Sequence, residues 1–199
     1  MDAIDYSINY IKYLEGVKYL FPDETNSFTN WNKVRDIGPF WLGKNPLPRN
    51  DLIIRQGICC VGLINLMRRK LNLSIPSHID SETKEVTFIG GTSGWFQYLN
   101  NLKRLKPINI RERYPKGTLL IQDYNPIDQG HVAVILSNNK LLFYSKKIHA
   151  IGGDIGGNIG EDNINSGKYN RVIIEKFNEY PYWQRYTHIC LPQDWLLKN

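Results

Sequence analysis

The hydrophobic period changes once along this chain, and that change limits what it can fold into. Before residue 117 the apolar positions recur at helical spacing. Ile4, Ile8, Ile11 and Leu14 predict a helix over residues 3–15, closed by Gly16. Val61, Leu63, Ile64, Leu66, Met67 and Leu71 predict a second helix from Cys60 to about residue 71, apolar enough to be buried on most sides. A third over 92–105 turns Trp95, Phe96, Leu99 and Leu102 inward, with Thr92 or Ser93 as its cap. From 117 onward the apolar residues come in short strand-like runs: 118–121, HVAVIL from His131, LLFYSKK from Leu141, 171–177 and 186–191. HVAVIL and LLFYSKK, separated by a tight SNNK turn, predict a β-hairpin. Helices first and an antiparallel sheet second make an α+β fold.

The 199 residues suit one domain, 1–199, carrying an ordered loop insertion at about 21–51. That insertion is rich in Pro, Gly, Asn and Trp, with Trp31, Phe40 and Trp41 to pin it down. The stretch 152–167 reads as a Gly/Asn-rich loop; a single GGDIGGNIG is too little for a calcium-binding repeat. The net charge of +6 is not gathered into any long basic tract. Arg68, Arg69 and Lys70 sit where cations complement a helix C-terminus, so nucleic acid is not an expected partner.

The chain starts MDAIDYSINYIKYLEG, without a basic n-region or an apolar h-region, and so without a signal peptide. No apolar run approaches the roughly 18–20 residues that span a bilayer. Localisation stays unassigned on these grounds: cytoplasmic or virion-associated unless another route exports the protein. Oligomeric state is unassigned as well. Adjacent Cys59 and Cys60, with Cys190 as the third Cys, do not make a disulfide framework, and two Cys with scattered His do not make zinc spacing. No metal and no cofactor are expected.

The chemistry-bearing residues are Cys60 and His131. A thiol opening a helix meets unpaired N–H groups and the positive end of the dipole, which favour thiolate. A lone Cys there is more commonly an inert core residue. His131 follows Gly130 at the mouth of a strand, held on a rigid element, as suits a general base beside a thiol. A surface His on a strand end is the equal alternative. Together the two form a Cys/His pair in the order helix then sheet. His188 reads as a structural His on a late strand and His78 has no assigned role; Trp31, Trp41, Trp95 and Trp183 read as packing aromatics before groove-lining ones.

The segment GICCVGLINLMRRKLNL resembles the D-C-S-G-L-V motif of the NlpC-type cell-wall cysteine endopeptidases, a papain-like family; Cys60, Gly62 and Leu63 match its Cys, Gly and Leu. YPKGTLLIQDYNPIDQGHVAVILSNNKLL is similar to that family's P-G-D-L and G-H-V-G-I-Y-L-G, matching at Gly117, Leu119, Gly130 and His131. LEGVKYLF resembles its G-x-x-Y, which puts Tyr19 near the site, and GTSGWFQYL its intervening helix. The resemblance runs in order from about residue 3 to 145. Departures are Cys59 for the Asp before the Cys, Val61 for the Ser after it and Thr118 for the Asp of P-G-D-L. Cys59 is read as a small buried residue before a second thiol of the site. The family's third polar residue, which orients the imidazole, falls by spacing on Phe143. A shifted turn offers Tyr144 or Ser145, and His149, in a KIHA resembling the family's I-H-A, lies too far along unless an insertion intervenes. The third residue is therefore unassigned.

The resemblance implies a papain-like NlpC-type fold and a cysteine peptidase or amidase cleaving an amide bond, often in peptidoglycan stem peptides. Cys60 is then the nucleophile, His131 the base, and the Cys60 N–H an oxyanion donor. Tyr19 contacts the oxyanion or substrate, or is merely a core Tyr. Two alternatives stay open: a hydrolase of another amide or acyl substrate, and a non-catalytic binding or virion protein on the same scaffold.

Overall fold

Asp2 opens the first helix, its carboxylate accepting the Asp5 N–H at 2.6 Å. The computed structural model describes residues 2–19, 53–54, 57–79, 82, 86–88, 91–122, 130–151, 169–179 and 183–197. The expectations for 21–51, with Trp31, Phe40 and Trp41, and for GGDIGGNIG lie outside these residues. Helix α1 (Ala3–Lys12) buries Ile8 and Ile11, and Leu14 is buried in the turns that follow. Gly16 takes φ 85°, open to glycine at no steric cost, and its N–H donates to Val172 O at 2.8 Å. The chain thus leaves α1 already docked on the sheet.

Helix α2 (Cys60–Lys70) is buried from Cys60 through Arg68, as its broad apolar face predicts. The basic triplet does occupy its last turn, but Arg68 is no surface cation. It donates from Nε to Ser74 O at 2.6 Å and from a guanidinium N–H to Trp195 O, lies over the Trp95 ring and is 1% exposed. Helix α3 (Gly91–Asn101) stops earlier than its pattern predicts. Lys103 turns left-handed at φ 55°, which leaves Leu102 44% exposed instead of inward. Thr92 and Ser93 lie inside its first turn and not at a cap position. Trp95 is fully buried and donates to Asn65 Oδ1 at 2.8 Å, tying α3 to α2. Among the described residues no helix is long and apolar enough to cross a membrane.

The main sheet has six strands, all neighbours antiparallel, in the order β3 (Lys106–Pro107), β10 (His188–Cys190), β5 (Leu119–Gln122), β6 (His131–Ile135), β8 (Lys146–Ile151), β9 (Arg171–Lys176). Two small pairs stand apart, β1 (Ser77–Ile79) with β2 (Val86–Phe88) and β4 (Arg113–Tyr114) with β7 (Lys140–Leu141). A short C-terminal helix α4 (Pro192–Trp195) follows β10. Helices on an antiparallel sheet bear out the α+β reading.

Both faces of the sheet are covered. Leu119, Ile121, Val132, Val134, Ile148, Ala150 and Val172 pack with α1, α2 and α3 in one core. Leu120, Ala133, Ile135, Ile151, Ile173 and Ile189 pack with Leu142, Phe177 and Tyr186 in a second. A strand buried on both sides reads as an unbroken apolar run, which is why HVAVIL shows no alternation.

The predicted hairpin is corrected. LLFYSKK pairs with β6 only at its end, where Lys147 faces Ile135 and Lys146 O accepts the Leu136 N–H at 2.7 Å. Lys140–Leu141 pairs with Arg113–Tyr114, and Leu142–Tyr144 forms a 3-10 turn. Burial of Leu142 in the second core pulls this segment inward, and Ser145 Oγ fixes it by donating to Leu141 O at 3.1 Å. The strand that joins β6 is Lys146–Ile151, which begins in the last two residues of LLFYSKK and runs on beyond it. The last two strands are also shorter than expected: one stops before Phe177, which is in a 3-10 turn, and the other spans only His188–Cys190.

Gly117 sits where three elements meet. Its φ is 83°, and a Cβ there meets Ile4 Cγ2 at 2.8 Å and Pro192 Cβ at 3.2 Å. Gly117→Ala is expected to lose about 1–3 kcal/mol from backbone strain alone, read as a lowered urea midpoint at unchanged m-value.

Candidate functional site

Cys60 is the first residue of α2, and Cys59 is its N-cap. The Cys59 sulfur accepts the Gly62 N–H at 3.4 Å, a hydrogen bond more usually made by an Asp, Ser or Thr oxygen. Cys59 is buried at 2% and caps the helix, in keeping with its reading as a small buried residue. Cys60 is 8% exposed. The backbone N–H of Val132 on β6, the Val61 N–H and the Thr92 hydroxyl on α3 all act to favour the charged form of Cys60. Strands β6 and β8 pair only at Val134↔Ile148 and Ile135↔Lys147, so they part toward His131.

His131 is the residue before Val132. The β5–β6 register pairs it with Gln122, and alternation along β6 puts its side chain on the face of Ala133 and Ile135. The Tyr186 ring lies 5.8 Å from its ring on that face. Cys60 thus approaches the strand from the helix side, while the imidazole lies on the other face of the same strand. His131 Nε2 is 2.8 Å from His149 Nδ1. The strands deliver this contact because the segment Lys140–Tyr144 is inserted between β6 and the KIHA strand. Phe143 packs edge-on to Trp183 at 5.8 Å, Tyr144 is 59% exposed, and Ser145 bonds backbone carbonyls. None of these three is the partner of His131; His149 is.

Behind His149 lies a buried charged pair. His149 Nε2 is 2.9 Å from Glu175 Oε1 and 2.9 Å from Lys147 Nζ, and Lys147 bonds the same Glu175 oxygen at 2.9 Å. Lys147 and His149 are fully buried and Glu175 nearly so. The β8–β9 register explains the meeting, since Lys147 faces Glu175 and His149 faces Ile173. Tyr186 Oη stands 3.5 Å from His149 Nδ1.

Tyr19 is brought to the same place. It bridges Ile58, two residues before Cys60, and its N–H donates to Asn170 O at 2.9 Å. Burial raises its phenol well above the ordinary value, and the nearby Cys60 and Cys59 sulfurs add to the rise. The fourth His of interest, His188, packs edge-on to Phe96 at 5.1 Å, as a structural His would. Trp95 is fully buried, and Trp183 packs against Phe143 and Phe177. Among the described residues no group of three His, Cys, Asp or Glu side chains is arranged to hold a metal ion.

The electrostatics reverse the expected arming of Cys60. Burial raises its pKa above 9.0, and the hydrogen bonds from Val132, Val61, Thr92 and its own N–H only moderate that rise. Burial also lowers His131 well below 6.5, helped by the charges of His149, Lys147 and Arg185. At neutral pH the resting pair is thiol and uncharged imidazole. For Glu175 burial pushes the carboxyl upward, but the His149 hydrogen bond and the Lys147 charge prevail and hold it at about 2.

No protein-family model matches the chain, and no curated protein matches it. The site therefore stands on its own geometry. Acid should dismantle it in two stages. His131 titrates lower folded than unfolded, so its share of stability is lost as pH falls below about 6.5, where the unfolded chain takes up the proton first. The share of Glu175, depressed from 4.5 to about 2, is lost between those values. Urea midpoints measured from pH 8 to pH 3 are expected to fall in both windows.

Two features of the site were not visible in the sequence. Thr92 read as a helix cap, and nothing in GTSGWFQYL says that its hydroxyl turns to a sulfur 32 positions earlier. Glu175 read as one polar residue on a strand. The I-H-A likeness was the one signal that pointed to His149.

Proposed function

We propose that this chain is a papain-like, NlpC-type cysteine hydrolase that cleaves an amide bond, with peptidoglycan stem peptides as its substrate class. The observation that carries this reading is the 2.8 Å contact of His131 Nε2 with His149 Nδ1 on the strand whose Val132 N–H acts on the Cys60 sulfur.

The chemistry follows from the neutral resting pair. As the Cys60 sulfur bonds to the carbonyl carbon, its proton passes to His131 Nδ1 and the C=O electrons move to oxygen. The Cys60 N–H at the helix start and the Tyr19 hydroxyl are the candidate donors to that oxyanion. Collapse breaks the C–N bond, and His131 gives its proton to the leaving amine. Water then attacks the thioester, losing a proton to His131, and the sulfur departs and regains that proton. His149 orients the imidazole throughout. Delivering the proton only as the bond forms suits a buried thiol, because no thiolate has to persist in the low-dielectric site.

Purified peptidoglycan incubated with the protein and mapped by mass spectrometry is the test. New stem-peptide fragments are expected from the native chain and none from Cys60→Ala. The raised thiol pKa favours a second reading, a binding protein on the same scaffold. Retention on peptidoglycan by both proteins, with no fragments from either, would support that one.

A further inference from the structure

The contact of Lys147 and Glu175 with a single nitrogen of His149 is a choice that the protein has to make. Nε2 of His149 lies 2.9 Å from the ammonium and 2.9 Å from the carboxylate oxygen. With a proton on Nε2 the ring donates to Glu175. Without one it accepts from Lys147. It cannot do both. Each choice dictates the state of the next ring, because the other nitrogen of His149 shares one proton with His131 Nε2 at 2.8 Å. If Glu175 takes the His149 Nε2 proton, His149 Nδ1 is a lone pair, His131 donates from Nε2, and His131 Nδ1 is a lone pair. If Lys147 wins, His149 donates from Nδ1, His131 accepts at Nε2, and His131 Nδ1 carries a hydrogen. Only the first arrangement leaves a neutral His131 able to accept a proton at Nδ1.

Glu175 has the advantage for a geometric reason. The ammonium has three protons and turns one onto the Glu175 oxygen at 2.9 Å. A bare Nε2 lone pair 2.9 Å from a carboxylate oxygen, by contrast, would be two acceptors with no proton between them. The charged acceptor also makes the stronger bond. Among the described residues, Tyr186, whose hydroxyl serves either state of His149 Nδ1, and Arg185, whose charge acts on His131, also face the pair of rings. Neither of these removes the preference.

We propose that Glu175 and Lys147 are positioning residues that fix the tautomer of His149 and through it make His131 Nδ1 the lone pair that receives the Cys60 proton. This rests on the Cys60–His131 reading above. The three residues come from β6, β8 and β9, so the tautomer is written into the strand register. Lys147 holds the carboxylate in place but is also its competitor, which makes the relay switchable by a single substitution. Glu175→Gln removes the charged acceptor and leaves Lys147 as the stronger partner of Nε2. Lys147→Met together with Glu175→Gln removes the competitor and leaves the amide oxygen to accept from Nε2.

The full chain with 15N-labelled histidine, studied by NMR at pH 7.5, reports which ring nitrogen carries the hydrogen. The native protein is expected to show Nε2–H at both His131 and His149. Glu175→Gln is expected to show Nδ1–H at both, with the rate of Cys60 alkylation at least tenfold lower. The double variant is expected to return both rings to Nε2–H and most of the alkylation rate; holding no buried unpaired charge, it serves as the test even where the single variant fails to fold. Nδ1–H at His131 in the native protein or in the double variant would overturn the proposal, as would tautomers unchanged in a folded Glu175→Gln. The hydrolase reading fails separately: Nε2–H on both rings with no cleavage sinks it and spares the relay, whereas cleavage with Nδ1–H at His131 sinks the relay alone.

Discussion

Glu175→Leu is expected to destabilise the protein by about 3–5 kcal/mol, the usual result of stripping one partner from a buried ion pair. Lys147 is fully buried and bonds Glu175 at 2.9 Å, so the substitution removes a charge partner from an ammonium that cannot reach water without unfolding β8 from β9. The same change strips the carboxylate from His149 Nε2. Replacing both charges, Lys147→Met with Glu175→Leu, is expected to regain most of the loss, because well-packed apolar residues replace a buried ion pair at little net cost. A deficit of about 1–3 kcal/mol should remain for the His149 N–H whose acceptor is gone. Urea unfolding of the two variants at pH 7.5 gives both figures. A single variant as stable as the native chain would mean that the Lys147–Glu175 pair is not buried.

The second large effect concerns His131. His131→Ala is expected to lower turnover of the cleaved amide by about 10^2–10^4-fold, the range that general acid–base catalysis supplies. The fold should survive, since the ring sits at a strand end against His149 and Tyr186, at the edge of the second core. His149→Ala should reduce turnover less, because it removes the orientation of the base and not the base itself. Its signature is a loss in kcat with KM unchanged, measured on the fragment released from peptidoglycan.

How far the sequence carried the fold depended on burial pattern. Helix α2 was legible because Val61, Leu63, Ile64, Leu66 and Met67 form a dense apolar run, all of it buried. Strand β6 was legible as an unbroken apolar run. Its partner was not. In KKIHAI the alternating Lys147 and His149 look like a solvent face, yet both are fully buried because Glu175, 28 positions beyond Lys147, neutralises them. A long-range ion pair leaves no local pattern, so LLFYSKK, with its apolar start, took the place that Lys146–Ile151 fills.

The candidate site shows the same division. Cys60 and His131 could be named from local context, a helix start and a strand mouth. Their protonation could not. The helix-terminus argument correctly supplied N–H donors at Val61 and Cys60, but their effect is smaller than the cost of burying a thiolate at 8% exposure. Burial is a property of the whole fold, as is the Thr92 hydroxyl on the sulfur. The third residue was missed for a simpler reason: spacing assumes a short turn, and the 3-10 insertion at Leu142–Tyr144 lengthens it.

Alkylation of Cys60 by iodoacetamide, quantified by mass spectrometry at pH 7.5 in the native chain and in His131→Ala with Cys190 as internal reference, tests the coupling of sulfur and imidazole most directly. If the imidazole receives the thiol proton, loss of His131 slows labelling of Cys60 at least tenfold and leaves Cys190 unchanged. Equal Cys60 rates in the two proteins would mean that the sulfur reacts without the imidazole, and the hydrolase account would be wrong.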